Sequence, residues 1–485
     1  MVGIESSKDV PSRAQSTSGG LVLPLALAQF IASYAATNMN VAISAIAKDL
    51  NTTVIGLQTA ITLFTLTMAA LMIIGSKLTD IWGRKTCFIG GLTVYGIGAL
   101  IATFSPGLGV MIFGYSFGEG IGSALLIPPV YILITVAFPD IKSRAKYFGV
   151  VSGAAGLGSA TGPLIGGLIT TTISWRASFG LQVLVVAYVI IAARKIRDPE
   201  RTGPRPSFDG LGAVLSAAGL FFVVFGVLRT GIYGWLAARK DFVVAGTVII
   251  AKGGVSPIWI FIGIGAVLLG CFYLHIGSRE RKHAEPLLHR RMFRQRTANL
   301  GLVTQLTQWL ILQGSFFVIS VFLQQIWKYN AIETGLMLTP ATIGVLVASA
   351  RAAQLARKHS QRALIIIGFV ITVAGMGLIL GLVRADTGIV SFVPGLLAMG
   401  AGTGVMLTAS VNIVQSSFPE HDQGEISGLS RSVSNLGSSF GTALVGSVLV
   451  AAKLPEGGPF AAALAVLVCF ALFGLIAAIG IPRSR

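Results

Sequence analysis

The stretch YSFGEGIGSALLIPPVYILI (115–134) is almost uninterruptedly apolar and contains a single charged side chain, that of Glu119. An α-helix needs about 20 residues to cross the hydrocarbon core of a bilayer, and this stretch supplies them. A carboxylate at that depth costs at least a few kcal/mol, so an acidic residue inside a membrane helix is by default a candidate functional group. The stretch therefore predicts a membrane-spanning helix with a functional carboxylate in it.

The composition extends this prediction to the whole chain. Of its 485 residues 54% are hydrophobic and 11% are charged, and the mean hydropathy is +0.81, whereas soluble domains have roughly 25% charged residues. The net charge of +18 comes from short basic clusters between apolar spans and not from one basic face, which argues against nucleic-acid binding. We expect an all-α, polytopic protein in a lipid bilayer, with no nucleic-acid partner.

Fourteen apolar segments are long enough to cross a membrane. The expected spans are 21–43, 57–75, 86–105, 108–136, 148–170, 175–194, 210–230, 257–277, 298–325, 332–350, 363–383, 389–412, 425–450 and 459–481. An even number places both termini on one side, and the basic runs at 194–206 and 279–296 indicate that this side is the cytoplasm. No cleaved signal peptide is expected, and the protein is predicted to be a multi-pass protein of the plasma (inner) membrane.

The spans divide into two groups of six with two helices inserted between them, in the manner of transporters built from repeats. The expected units are a disordered cytoplasmic tail (1–20), a first six-helix bundle (21–206), a two-helix insert (207–278) and a second six-helix bundle (279–485). The insert contains the only sizeable extracytoplasmic loop, in which DFVVAGTVIIAKGG (241–254) predicts a small β-hairpin.

Several short motifs carry a family resemblance. SKLTDIWGRK (76–85) resembles the loop signature G-x-L-A-D-R-x-G-R-K of the major facilitator superfamily, and GSATGPLIGG (158–167) resembles the helix-five signature G-x-x-x-G-P-x-x-G-G of its proton-coupled antiporters. SWRASF (174–179), PLLHRRMF (286–293) and the position of the insert are similar to the fourteen-helix drug:proton antiporter group. The resemblance implies the major facilitator fold, in which two six-helix bundles rock about a site near the midplane.

The loop signature suggests a gate. Asp80 is expected beside the cytoplasmic start of helix three, near Gly83, Arg84 and Lys85, so that one charge network closes the inward face and breaks when that face opens. The alternative is a solvated loop that only fixes topology. Ser76 departs from the signature, where the family usually has Gly.

The helix-five signature presents small residues along one face. Its members are Gly158, Gly162, Pro163, Gly166 and Gly167. Small residues let two helices approach closely, and the proline removes a backbone donor and favours a bend. We expect this face at the interface between the two bundles, with ordinary helix packing as the alternative.

Two departures from the drug-exporting relatives concern proton coupling. Their helix one typically carries an Asp where this chain has Ala35, and their helix-four pattern R-x-x-Q-G becomes Ser116 to Gly120 here, so that the Arg is lost and the Gln becomes Glu119. We interpret this as relocation of the proton-carrying carboxylate to Glu119. The alternative is that Glu119 is structural and transport is not coupled to protons.

Helical phase selects candidate residues for a substrate cavity, because amides and aromatics that share an inward face are not selected by lipid. The candidates are Tyr34, Asn38, Tyr115, Gln182, Gln305, Trp309, Gln313 and Phe316. Walls of this kind suit amphipathic organic compounds. For each amide the alternative is a hydrogen bond to a neighbouring helix.

The sequence predicts a secondary active transporter and not an enzyme, because it shows no nucleophile and base pair, no metal-spaced ligands and no phosphate-binding loop. No cofactor and no metal are expected. The expected activity is proton-coupled export of a small amphipathic or hydrophobic drug or metabolite by a monomer. An uncoupled facilitator or nutrient importer of the same fold is the alternative, and a membrane sensor or scaffold is a further one.

Overall fold

The computed structural model describes residues 13–138, 141–196, 207–244, 247–356, 358–382, 389–419, 422–451 and 457–483. These residues form fourteen long helices. They are α1 Arg13–Asp49, α2 Val54–Trp82, α3 Arg84–Thr103, α4 (consecutive segments Leu108–Met111, Ile112–Glu119 and Gly120–Ala137), α5 Ile141–Thr172, α6 Trp175–Ala193, α7 Gly210–Leu228, α8 Ile258–Arg281, α9 Arg296–Gln325, α10 Ala331–Leu355, α11 Gln361–Leu382, α12 Val393–Gln415, α13 Gln423–Ala451 and α14 Gly458–Ile479.

The remaining regular elements are short. A four-residue helix, Thr230–Tyr233, follows α7, and the strands β1 Phe242–Val244 and β2 Thr247–Ile250 form the antiparallel hairpin expected within 241–254. Two 3₁₀ turns, Arg290–Phe293 and Ile389–Ser391, precede α9 and α12. The hairpin lies at one end of the molecule, here named the hairpin end. The opposite end, here named the basic end, carries the α2–α3 turn and the segment between α8 and α9.

The helices have the dimensions of membrane spans. Within the described residues, thirteen are long and apolar enough to cross a bilayer, and α5, with 32 residues, is long enough for a fourteenth crossing. The expected all-α polytopic fold is confirmed. The helix boundaries differ at two places, since α1 already begins at Arg13, within the tail expected to be disordered, and α2 continues to Trp82. Residues 1–12 lie outside the described part.

The extension of α2 turns most of the loop signature into helix. Only Gly83 interrupts it, ending α2 and starting α3 with φ 102° and ψ 151°. An L-residue with a side chain rarely adopts this backbone conformation. The signature is therefore a tight helix–glycine–helix corner that keeps Asp80 close to Arg84.

The two six-helix halves, α1–α6 and α9–α14, repeat one packing pattern. In each half the first helix packs on the fifth, the second and third pack on the fourth, and the third packs on the sixth. Between the halves, α2 packs along α13 and α5 packs along α10, so the second helix of each half meets the fifth helix of the other. The insert helices α7 and α8 pack on each other, and α7 contacts α2 and α13. The pairing of the second helix of each half with the fifth helix of the other is the arrangement that a pseudo-two-fold axis between the halves produces.

Candidate functional site

A cavity of about 70 Å³ lies on the seam between the halves. Its walls come from α1, α2, α4 and α5 of the first half and from α9 and α13 of the second, and they mix hydroxyl, amide and aromatic side chains. The lining residues are Gln29, Ala32, Ser33, Ala36, Thr37, Thr65, Met68, Ile127, Ser159, Trp309, Leu312, Gln313, Phe316, Arg431, Ser434, Asn435 and Ser438. Pockets for drug-sized ligands have about 300–1,000 Å³. In this conformation the cavity is therefore too small for such a compound.

The cavity contains three of the residues that helical phase selected. Trp309, Gln313 and Phe316 line it, all three from α9. Gln313 also crosses the seam, because its Nε2 donates to the carbonyl oxygen of Ala36 at 3.0 Å. Gln305 does not line this cavity and instead accepts a hydrogen bond at 2.9 Å from Ser430, inside the second half.

The cavity also contains a charged residue that the sequence analysis missed. Arg431 is the only charged side chain among the described residues that line it. Its Nη2 donates to the Tyr131 hydroxyl, and its guanidinium carbon lies 5.1 Å from the centre of the Tyr131 ring. A signal for it existed, since Arg431 is the only basic residue in the span Gly424–Val450 and charged residues within membrane helices are functional candidates.

Glu119 lies inside the first half and does not line the cavity. It is fully buried, and it ends the π-helical segment Ile112–Glu119 of α4, a departure from α-helix that often marks functional sites. The backbones of α3 and α4 meet here, because a Cβ on Gly98 would lie 2.6 Å from the Glu119 nitrogen. This contact brings the Glu119 carboxyl group beside the hydroxyl of Tyr95.

Three tyrosines from three helices surround Glu119, and we name Tyr34, Tyr95 and Tyr115 the tyrosine cage. Their hydroxyl groups already have other partners. Tyr95 donates to Gln182 Oε1, and Tyr115 donates to the carbonyl oxygen of Ala35 at 3.2 Å.

The third cage residue is bound to α6. The Tyr34 hydroxyl lies 2.5 Å from Ser178 Oγ, which also accepts a hydrogen bond at 3.0 Å from Asn38. Four residues selected from the sequence as cavity residues thus do not line the cavity. Tyr34 and Tyr115 lie near Glu119, and Asn38 and Gln182 are bound to the cage through Ser178 and Tyr95. A helix in a bundle has one inward side toward its own bundle and another toward the seam, and helical phase alone does not separate these two sides.

The carboxyl oxygens of Glu119 accept no hydrogen bond from any described residue. The Tyr95 hydroxyl donates its single proton to Gln182, so it has no proton left to donate to a charged Glu119. An unpaired charge inside protein is costly. An ionised Glu119 would therefore be an unpaired charge in these surroundings.

Helix α1 separates the tyrosine cage from the cavity. Ser33, Ala36 and Thr37 face the cavity, whereas Tyr34 and Asn38 bind Ser178 on the side of Glu119. A rotation or shift of α1 would therefore change both sites together.

The gate residues predicted from the sequence lie together at the basic end. Asp80 is exposed, with the charges of Lys77, Arg84, Glu285 and Glu425 around it. Lys85 donates from Nζ to the carbonyl oxygen of Arg194 at 2.8 Å, a bond within the first half.

Two bonds beside Asp80 link α2 to later parts of the chain, one to the segment between α8 and α9 and one to α13 of the second half. Lys77 Nζ lies 3.1 Å from Glu285 Oε2, and Ser76 Oγ donates to the carbonyl oxygen of Gly424 at 3.2 Å. Ser76, which departs from the family signature, thus makes a contact that glycine could not make.

The glycine face of α5 divides between two neighbours, which corrects the expectation that it lies at the interface between the bundles. An added Cβ on Gly158, Gly162 or Gly166 would collide with α1, a helix of the same half, and on Gly162 it would lie 2.1 Å from Thr37 Oγ1. Two other residues of the motif, Pro163 and Gly167, reach the other half. A Cβ on Gly167 would lie 2.5 Å from the carbonyl oxygen of Ala331, and Gly335 of α10 packs on Pro163. The residues of a 3.6-residue helix that are four apart drift around the axis, so one motif serves both contacts.

A second cavity of about 360 Å³ lies at the hairpin end, where α2, α13 and the segment after α7 meet. Gln58, one of its lining residues, bridges α2 and α13 by donating to the carbonyl oxygens of Thr442 and Ala443 at 3.1 and 3.3 Å. Its lining shares no residue with the seam cavity. This cavity therefore belongs to the outer contact between the halves.

Asp209 joins the insert to the basic end and contrasts with Glu119. It is buried, and its carboxylate accepts hydrogen bonds from Gly212 N at 3.0 Å, from Leu287 N at 3.1 Å and from His275 Nε2 at 2.8 Å. Burial raises the pKa of Asp209, but the hydrogen bonds from His275, Gly212 and Leu287 outweigh burial and hold this pKa below its usual value.

Comparisons with known proteins agree with this architecture. The family model of the Major Facilitator Superfamily matches residues 25–250 and 242–442. The puromycin resistance protein pur8 of Streptomyces alboniger is 27% identical over 452 residues, which cover 92% of this chain and 84% of the relative. The cephamycin export protein CmcT of Amycolatopsis lactamdurans is 27% identical over 438 residues, which cover 90% of this chain and 85% of the relative. The multidrug resistance protein Stp of Mycobacterium tuberculosis is 24% identical over 414 residues, which cover 85% of this chain and 72% of the relative.

Proposed function

Because this chain belongs to the major facilitator superfamily, and to its fourteen-helix group of drug exporters, we propose that it exports small amphipathic organic compounds by alternating access, in exchange for protons carried by Glu119. It is a transporter and not an enzyme. The observation that carries the proposal is the seam cavity, whose aromatic, amide and hydroxyl walls come from both halves. A site shared between two repeats is exposed to opposite sides when the repeats rock.

Two small sets of bonds between the halves are suited to act as alternating gates. At the hairpin end, Gln324 of α9 accepts from Ser44 N and donates to the carbonyl oxygen of Asn40, both at 2.9 Å. At the basic end, the Lys77–Glu285 pair and the Ser76–Gly424 bond hold α2 to the segment between α8 and α9 and to α13. Surface ion pairs contribute about 0–1 kcal/mol each and hydrogen bonds about 0.5–1.5 kcal/mol each, so breaking the bonds of either set costs a few kcal/mol at most.

The position of Glu119 behind α1 supports the proposed proton coupling. We propose that proton release from Glu119 leaves a charge without a partner in the tyrosine cage, that the cage and α1 rearrange in response, and that this movement reshapes the cavity wall at Ser33 and Thr37. A proton moving inward gains about 2.3 kcal/mol per 100 mV. That driving force is sufficient for outward accumulation of a neutral compound.

The same proposal places the protein in the plasma membrane with both termini in the cytoplasm. The basic end then faces the cytoplasm, as the positive-inside rule favours. In this orientation the Gln324 bonds form the outer gate and the Lys77 and Ser76 bonds form the inner gate.

The test is transport by the purified protein in liposomes. Puromycin and a cephamycin are suitable first probes, because two relatives are named for them. We expect saturable flux of at least one probe, with accumulation that increases when a pH gradient is imposed. Saturable flux that does not change with the pH gradient would contradict proton coupling. The absence of saturable flux for both probes would contradict the proposed export function.

A further inference from the structure

We propose that the seam cavity selects amphipathic compounds that carry one negative charge, such as organic carboxylates and phenolates, and that Arg431 is the residue that binds this charge. This inference rests on the proposed function and specifies its substrate class. The cavity wall, and not the proton site, is its structural basis.

Arg431 has no counter-charge among the described residues. Its described polar partner is a neutral hydroxyl group, that of Tyr131, whose ring lies under the guanidinium. No described carboxylate oxygen lies within 4.0 Å of it, whereas the described ion pairs of the chain all lie outside the cavity. A guanidinium has five N–H donors in a planar fork that fits a carboxylate. A cation kept inside a protein without a counter-charge is costly, and an anionic substrate would supply the missing charge.

The other polar residues of the cavity wall also suit an anion. No described acidic residue lines the cavity, so no carboxylate there would pair with a cation. Ser434, Asn435 and Ser438 follow on the same helix at positions i+3, i+4 and i+7 and also line the cavity, which places their polar groups on the face of Arg431. These groups can donate further hydrogen bonds to an anion.

Another part of the cavity wall is aromatic. Trp309 and Phe316 of α9 line the cavity and give it an apolar, aromatic side. An aromatic acid would place its ring against this side and its charge at Arg431. The charge-binding residues on α13 and the aromatic residues on α9 both belong to the second half, so this half supplies both parts of the proposed site.

The test uses three fluorescent probes of the same size and scaffold. Dansylglycine carries a carboxylate, dansylglycinamide is neutral and dansylethylenediamine is a cation. Binding to the purified full-length protein is measured by energy transfer from tryptophan, with Trp309→Phe showing whether the transfer arises in the cavity. We expect the wild type to bind the carboxylate about tenfold more tightly than the amide, in line with hydrogen bonds to a charged group, and to bind the cation least.

Arg431→Gln should weaken carboxylate binding about tenfold to the level of the amide, with binding of the amide unchanged. Arg431→Lys, which keeps the positive charge, should retain part of the preference for the carboxylate over the amide. This variant also keeps the test possible if Arg431→Gln does not fold. Lys252→Gln removes an exposed positive charge in the segment after β2 and should leave the preference intact.

Equal binding of the three probes by the wild type, or an unchanged preference in Arg431→Gln, would overturn the inference and leave the proposed function standing. If the wild type neither binds nor transports any of the three, the seam cavity does not accept amphipathic compounds of this size, and the proposed function fails together with the inference.

Discussion

Glu119 and Arg431 are both charged residues inside the helix bundle, but their surroundings are opposite. Glu119 is enclosed by the tyrosine cage in the first half, and no described residue donates a hydrogen bond to it. Arg431 lies on the wall of the seam cavity in the second half and already has a neutral partner in Tyr131. The enclosed acid is suited to exchange a proton, and the accessible cation is suited to contact a substrate. The difference agrees with the proposed roles of the two residues, in which the first half exchanges the proton and the second half binds the charge of the substrate.

The largest expected effect is that of Glu119→Gln, which tests the first half of this comparison. Glutamine has the shape of the protonated acid but cannot release a proton. One proton exchanged per substrate at a gradient of one pH unit supports about tenfold accumulation, and we expect the variant to lose this accumulation while it still binds substrate. Asp209→Asn, which alters another buried carboxylate, is the control and should retain it. Equal accumulation by Glu119→Gln and the wild type would remove Glu119 from the mechanism.

The next effect concerns the packing of α5 on α1, the helix between the tyrosine cage and the seam cavity. Gly162 packs on Thr37, which faces the cavity, and on the backbone of Tyr34, whose side chain faces Glu119. Gly162→Ala should lower stability by about 1–3 kcal/mol through overpacking and should also slow transport. Gly156→Ala is the matched control, because its Cβ would reach only Leu346 at 3.9 Å. Thermal unfolding in detergent measures both, and equal stability of the two variants would contradict the assigned packing.

A smaller effect is expected at Asp209, the buried carboxylate that has the partners Glu119 lacks. Asp209→Asn should cost about 1–2 kcal/mol near neutral pH by weakening three hydrogen bonds. Because the folded-state pKa of Asp209 is lowered, its stabilisation is present above the unfolded pKa of about 3.9 and is lost as the pH falls through the folded value. The gap between wild type and variant in thermal unfolding should therefore narrow from pH 7 to pH 3. A gap that is constant over this range would contradict the assignment.

The smallest effect on stability is expected at Asp80, which is exposed at the inner gate. Asp80→Asn should leave the free energy of unfolding within about 0.5 kcal/mol of the wild type, as exposed substitutions usually do. Turnover should fall, because the balance of charges around Lys77 and Arg84 changes in the closed gate. Unaltered turnover in liposomes would show that this carboxylate only fixes topology.

Much of the fold could be predicted from the sequence, because apolar length and basic clusters report directly on membrane helices. The continuation of α2 to Trp82 could not, since polar and charged residues at a membrane surface do not distinguish helix from loop. The glycine face of α5 showed where helices approach closely but not which helix approaches. The division between cavity and cage depends on the π-helical segment of α4 and on which of two inward sides a residue occupies, and neither is visible in a 3.6-residue pattern. Arg431 was detectable as a lone basic residue in an apolar span.

The most direct test of the central claim is to measure proton movement driven by substrate. Liposomes containing the protein and an internal pH indicator are given a gradient of a transported probe, with no initial pH gradient and with the membrane potential clamped. The account predicts that probe flowing down its gradient drives protons the opposite way through the wild type, and that Glu119→Gln exchanges probe without moving protons. Equal proton movement through the two proteins would contradict it.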